Sequence, residues 1–170
     1  LNNIEEEIIK GMYKLQSVEN GCIKVQLLAS GSMVHEVIEA AQILKNDWNI
    51  QADIWSVTSY SELHREAEDK NRWNILHPEL DNKKSYIAEC LTTNNGPVIA
   101  VSDYVKLVAE QIAPYINCSF TALGTDGFGR SETRENLRNF FEIDQYYITM
   151  TALEALSNEN LIEKQIVKKA

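Results

Sequence analysis

What most constrains the fold of this chain is the order of its apolar runs. Ile23-Lys24-Val25-Gln26-Leu27-Leu28-Ala29 begins as an alternating segment and becomes wholly apolar, as a strand entering a covered sheet does. Ser30-Gly31-Ser32 breaks it. Val34, Val37, Ile38, Ala41, Leu44 and Trp48 then recur on one face of a helix, and Ala52 to Val57 is a second short strand. A strand, a helix and a strand in this order make a β-α-β unit, whose default is a right-handed parallel crossover.

The same alternation continues. The spacing predicts a helix around Leu63 to Trp73, while Tyr86 to Leu91 reads as a short helix or a strand. Asn94-Asn95-Gly96 is a turn, and Pro97 to Val101 is a buried strand. Ser102 or Asp103 is placed to cap a helix with Val105, Val108, Ala109 and Ile112 inside and Pro114 near its end. Phe120 to Leu123 is a further strand, and helices follow at Thr133 to Phe140 and from Asp144 to about Ser157. Buried strands alternating with helices argue for an α/β domain with a mostly parallel sheet covered on both faces.

Ahead of this block, Ile4, Ile8, Ile9 and Met12 recur at helical spacing with Glu5, Glu6 and Glu7 early, as the helix dipole prefers. This looks like the end of a helix, and Ser17 to Gly21 looks like a linker. Residues 1–20 are therefore expected to be a helix and linker from a preceding domain, and 21–170 the domain proper. A first residue of Leu1 rather than Met fits a segment cut from a longer chain.

Twenty-five acidic against sixteen basic residues give a net charge of −9. That balance disfavours nucleic acid and anionic membrane surfaces as partners, since both are bound chiefly through basic residues. No apolar run approaches the ~20 residues that span a bilayer. Cys22, Cys90 and Cys118 are far apart and odd in number. They suit packed thiols in a reducing, cytoplasmic setting.

Chemical motifs are sparse. Gly31 sits at a strand-turn-helix junction but lacks both the dinucleotide and the P-loop glycine patterns. His35, His64 and His77 share no metal-ligand spacing, no serine stands in a G-x-S-x-G elbow, and no cysteine has a neighbouring histidine. No catalytic, cofactor-binding or metal-binding residue is therefore assigned. His77 is the most noticeable histidine, in the irregular stretch Arg72 to Pro78. The loop Gly124-Thr125-Asp126-Gly127-Phe128-Gly129-Arg130-Ser131 differs in kind. It follows a buried strand at its carboxyl end, where open α/β sheets carry function. Asp126, Phe128, Arg130, Ser131 and Arg134 are its candidates, as ties within a tight connection, as interface anchors, or as contacts to a carboxylate or phosphate ligand.

Leu27 to Ser32, Arg72-Trp73-Asn74 with Leu76-His77-Pro78, Ser102-Asp103-Tyr104, Leu123 to Ser131 and Arg134 to Arg138 occur in order. Together they resemble the C-terminal domain of the homodimeric pyruvate dehydrogenase E1 component, of the transketolase-like group. Ala29 stands where that pattern has glycine. The resemblance implies a three-layer α/β domain on a mixed, mostly parallel sheet of about five strands. It implies a parent enzyme that uses thiamine diphosphate and Mg2+, decarboxylates pyruvate and reductively acetylates the lipoyl group of the E2 acyltransferase. Its cofactor would lie between the two preceding domains, and this domain would complete the dimer and border the approach to the active site. The thiamine pattern, G-D-G followed at a distance by N-N, is absent, so no cofactor is expected on this segment, which should be inactive alone. The implied partners are the remaining E1 domains, the second E1 subunit and E2. A small-molecule or regulatory module built on the glycine loop is the alternative.

Overall fold

A computed structural model describes residues 4–18, 23–92 and 96–169. The expectations at Leu1, Cys22, Asn94 and Asn95 lie outside the described residues. Five strands, β1 (Met12–Gln16), β2 (Lys24–Ser30), β3 (Gln51–Val57), β4 (Val98–Val101) and β5 (Phe120–Leu123), form one mixed sheet in the order β1-β3-β2-β4-β5. β3, β2, β4 and β5 are mutually parallel, and β1 runs antiparallel along β3.

Both sheet faces are buried, which is why the strand sequences are apolar runs rather than alternations. Val25, Leu27 and Ala29 of β2 and Ile99 and Val101 of β4 point to one core. There they meet Val37, Ala41 and Leu44 of α2 (Val34–Trp48) and Ile148, Ala152 and Leu156 of α7 (Gln145–Asn158). Leu28, Val98, Ala100 and Trp55 point to the opposite core. It is closed by Tyr60 and Leu63 of α3 (Tyr60–Leu76), Ile87 and Leu91 of α4 (Tyr86–Thr92) and Ala109 of α5 (Lys106–Glu110). α1 (Ile4–Lys10) buries no side chain, and α6 (Arg134–Phe140) and α8 (Lys164–Val167) complete the described helices.

Several expectations need adjustment. Met12 does not continue the first helix: α1 stops at Lys10, and Met12–Gln16 lies along β3 as the edge strand, ahead of the boundary expected at residue 21. Asp53 holds this edge. Its buried carboxylate accepts from the Val18 amide at 2.9 Å and from Gln26 Nε2 at 3.1 Å, with Lys14 and Lys24 at 3.4 and 3.5 Å. Burial alone would raise its pKa, but these donors and cations together hold it below the ordinary carboxylate value. The helix expected after Ser102 is reduced to five residues, with Val105 as its N-cap and exposed. Neither Ser102 nor Asp103 caps it, because the helix starts too late, at Lys106, and the Ser102 Oγ instead accepts from Ser30 Oγ and from the Tyr104 amide, both at 3.1 Å. By contrast Thr133 and Asp144 cap α6 and α7 as their positions suggest.

Candidate functional site

In a sheet ordered β1-β3-β2-β4-β5, the chain leaves β2 to one side for β3 and later returns on the other side as β4. The carboxyl ends of β2 and β4 therefore flank a topological switch point, where open α/β sheets form their ligand crevices. Three connections meet there: Ser30 to Met33 after β2, Ser102 to Val105 after β4, and Gly124 to Thr133 after β5. Ser30 and Ser102, joined through their hydroxyls, tie the first two together.

The third connection is tied to the second by its own backbone. Thr125 donates its amide to the Tyr104 carbonyl at 2.9 Å and its hydroxyl to the Asp103 carbonyl at 2.9 Å. Asp126 accepts from the Lys106 amide at 3.1 Å and pairs with Lys106 Nζ at 3.6 Å. So tight is this seam that a Cβ on Gly124 would lie 2.5 Å from the Tyr104 carbonyl oxygen. Gly127, at φ +97°, then turns the chain outward in a conformation an L side chain resists. Beyond it Phe128 is 94% exposed, and Arg130 lies over the Phe140 ring at 4.2 Å. The structure thus separates the residues the sequence grouped. Asp126 pairs with Lys106 rather than with Arg130 or Arg134, Phe128 is not packed among the described residues, and Ser131 and Arg134 are exposed.

A cavity of about 330 Å3 opens at the switch point. Met33, Leu137, Phe141 and Ile143 make its apolar wall, with Ser32, Asp103 and Arg134 among its polar lining. Arg138 shapes one side. Its guanidinium bonds Glu36 at 2.6 Å and reaches the Ser32 carbonyl and hydroxyl at 3.3 Å, while Glu36 also accepts the Gln145 amide at 3.0 Å. Glu36 and Arg138 are 102 positions apart. No local pattern marks Glu36, and Arg138 stood out only as part of a longer motif.

His77 belongs to neither feature. Tyr60, Leu63 and Ala67 are the buried residues of α3, so its second half projects from the core as an arm. At the arm's end His77 stacks on Trp73, with ring centroids 4.5 Å apart, and Nδ1 lies 2.8 Å from the Trp73 carbonyl. Lys83 covers the other partner of the stack, 3.8 Å from the Trp73 centroid. Asn74 clasps Lys83 through both backbone groups. This rigid end presents Ile75, Leu76 and Leu80 to solvent, at 69%, 61% and 52% exposure.

The family described as the transketolase-like TK C-terminal domain matches residues 11–144. The chain belongs to the transketolase-like C-terminal domain family. It is 50% identical over 168 residues to the pyruvate dehydrogenase E1 component of Pseudomonas aeruginosa, and 48% over 169 residues to that of Cupriavidus necator. The Escherichia coli K12 protein of the same name is 47% identical over 167 residues. Each match covers 98% of this chain but 19% of the relative, so the chain spans about a fifth of their length. Among solved structures, transketolase from Pichia stipitis matches with a TM-score of 0.64 at 18% identity, covering 91% of this chain and 19% of that one. Transketolase from Leishmania mexicana gives 0.61 at 20% identity, covering 90% and 19%. These likenesses establish the three-layer α/β fold of the transketolase-like C-terminal domain.

Proposed function

We propose that this transketolase-like C-terminal domain is the assembly domain of a cytoplasmic, homodimeric pyruvate dehydrogenase E1 component. The observation that carries the reading is near-half identity to E1 components along almost the whole chain. The parent enzyme decarboxylates pyruvate with thiamine diphosphate and Mg2+ and passes the acetyl group to the lipoyl group of E2. Residues 1–20 lead in from the preceding domain, with β1 laid along the sheet as their anchor, and 21–170 form the domain proper. The absence of any buried side chain from α1 supports a helix that finds its packing elsewhere.

The cofactor is assigned to the preceding domains. Among the described residues no three His, Cys, Asp or Glu side chains group to hold a metal. The thiamine pattern of G-D-G followed at a distance by N-N is absent from the sequence, so the charged residues at the switch-point cavity are given no cofactor role. Calorimetry with the isolated chain should therefore give no heat with thiamine diphosphate and Mg2+, and micromolar binding would overturn the assignment.

What the domain offers its parent is surface. The arm end with Ile75, Leu76 and Leu80, and the segments that carry Tyr104, Leu107 and Phe128, expose large apolar side chains. Such side chains suit burial against another domain or subunit. Phe128, Arg130, Ser131 and Arg134 on the loop side and His77 beneath the arm end are the interface residues of this reading, with Asp126 holding the loop in place. No helix among the described residues is long and apolar enough to cross a membrane. The net charge of −9 gives no support to a nucleic-acid partner.

A further inference from the structure

We propose that the switch-point cavity binds a free apolar α-amino acid of about the size of leucine. This goes beyond the assembly role and does not depend on it. The cavity volume of about 330 Å3 lies at the small end of the range for small-molecule sites, which runs from about 300 to 1,000 Å3. Its wall of Met33, Leu137, Phe141 and Ile143 suits a branched aliphatic or small aromatic side chain.

The charges at the rim specify the rest of the ligand. Arg138 is committed to Glu36 and Ser32, so it is not available to a ligand. Arg134 lines the same cavity, is exposed, and makes no ion pair or hydrogen bond among the described residues. On the acidic side Asp103 takes only a 3.4 Å hydrogen bond from Ser32 Oγ on its carboxylate and pairs with no cation, again among the described residues. A simple carboxylate entering here would meet Arg134 but also the open charge of Asp103 and that of Glu132. An amine alone would meet the open charge of Arg134 and leave it without a partner. A molecule with a carboxylate for Arg134 and an ammonium for Asp103, carrying its apolar side chain into the wall, satisfies all three features at once.

The test uses the full-length enzyme and calorimetry with leucine, 4-methylpentanoate, which lacks the ammonium, and 3-methylbutylamine, which lacks the carboxylate. Leucine is expected to bind, and each analogue to bind at least about tenfold more weakly. Arg134→Gln and Asp103→Asn, both at exposed positions, should each weaken leucine by about tenfold or more, and Leu137→Trp should fill the cavity and abolish binding. Thermal melts check that each variant is folded; should Leu137→Trp not fold, the two rim variants decide. The proposal falls if leucine gives no heat up to about 10 mM, if either analogue binds as well as leucine, or if binding survives both rim substitutions. Sedimentation of Asp103→Asn, a position outside the proposed interface, should show unaltered subunit association, so failure here leaves the assembly role standing.

Discussion

The loop after β5 carries three glycines that the structure uses in three different ways, and single alanine substitutions should resolve them. At Gly124 a new Cβ would meet the Tyr104 carbonyl oxygen at 2.5 Å and the Lys106 amide nitrogen at 2.8 Å. Both are backbone atoms of a segment pinned by the Thr125 and Asp126 bonds, so relief requires opening that seam. Overpacking costs about 1–3 kcal/mol and each lost hydrogen bond about 1 kcal/mol, which places Gly124→Ala near 3 kcal/mol. For a domain of this size that corresponds to a fall in Tm of about 6–12 °C. At Gly127 nothing lies within 4 Å, but φ is +97°, so Gly127→Ala should cost about 1–2 kcal/mol through backbone strain alone. At Gly129 there is neither a neighbour nor a left-handed φ, and Gly129→Ala should be neutral or stabilising by up to about 1 kcal/mol through the unfolded state. Thermal unfolding followed by far-ultraviolet circular dichroism measures all three. If Gly129→Ala destabilises as much as Gly124→Ala, the seam to the β4–α5 connection is not what holds the loop.

Other substitutions probe the remaining ties. Asp53→Asn should cost about 2–4 kcal/mol, since it leaves Lys24, whose side chain is 7% exposed, beside an uncharged partner. Because the folded pKa of Asp53 is lowered, its contribution is present above the unfolded value and fades as pH falls through the folded one. Urea midpoints should therefore drop on acidification less steeply in Asp53→Asn than in the parent chain, and parallel curves would count against the network. Glu36→Ala removes the partner of Arg138 and the acceptor of the Gln145 amide, and should lose about 2–4 kcal/mol in denaturant melts; a loss below about 0.5 kcal/mol would mean the bridge is ornamental.

How much of this was legible beforehand follows from where the information sits. β2 to β5, α2, α6 and α7 could be read because covered strands are apolar runs and because Thr133 and Asp144 are strong local caps. β1 could not: Met12-Tyr13-Lys14-Leu15-Gln16 is a short, half-polar edge strand whose Met12 happens to continue the helical spacing of Ile4 and Ile8. Its strand identity comes from pairing with β3, some forty positions away, and from Asp53. The cap expected from Ser102 or Asp103 failed because the helix starts only at Lys106, while the Ser102 hydroxyl answers to Ser30 across the sheet. At the candidate site the sequence placed the glycine loop at the carboxyl end of β5 but not its partners. The glycines marked the loop, whereas the Glu36–Arg138 bridge that shapes the cavity is a long-range pair without a local signal.

The assembly role is tested most directly by the association of full-length subunits carrying Ile75→Ser, Leu76→Ser and Leu80→Ser together with Phe128→Ser. All four side chains are more than half exposed in this domain, so its own stability should change by less than about 0.5 kcal/mol per substitution. Sedimentation equilibrium should then show the subunit dissociation constant raised by at least about a hundredfold, as expected when anchoring apolar side chains are removed from an interface. Unchanged association would contradict the claim that these surfaces help join the two subunits.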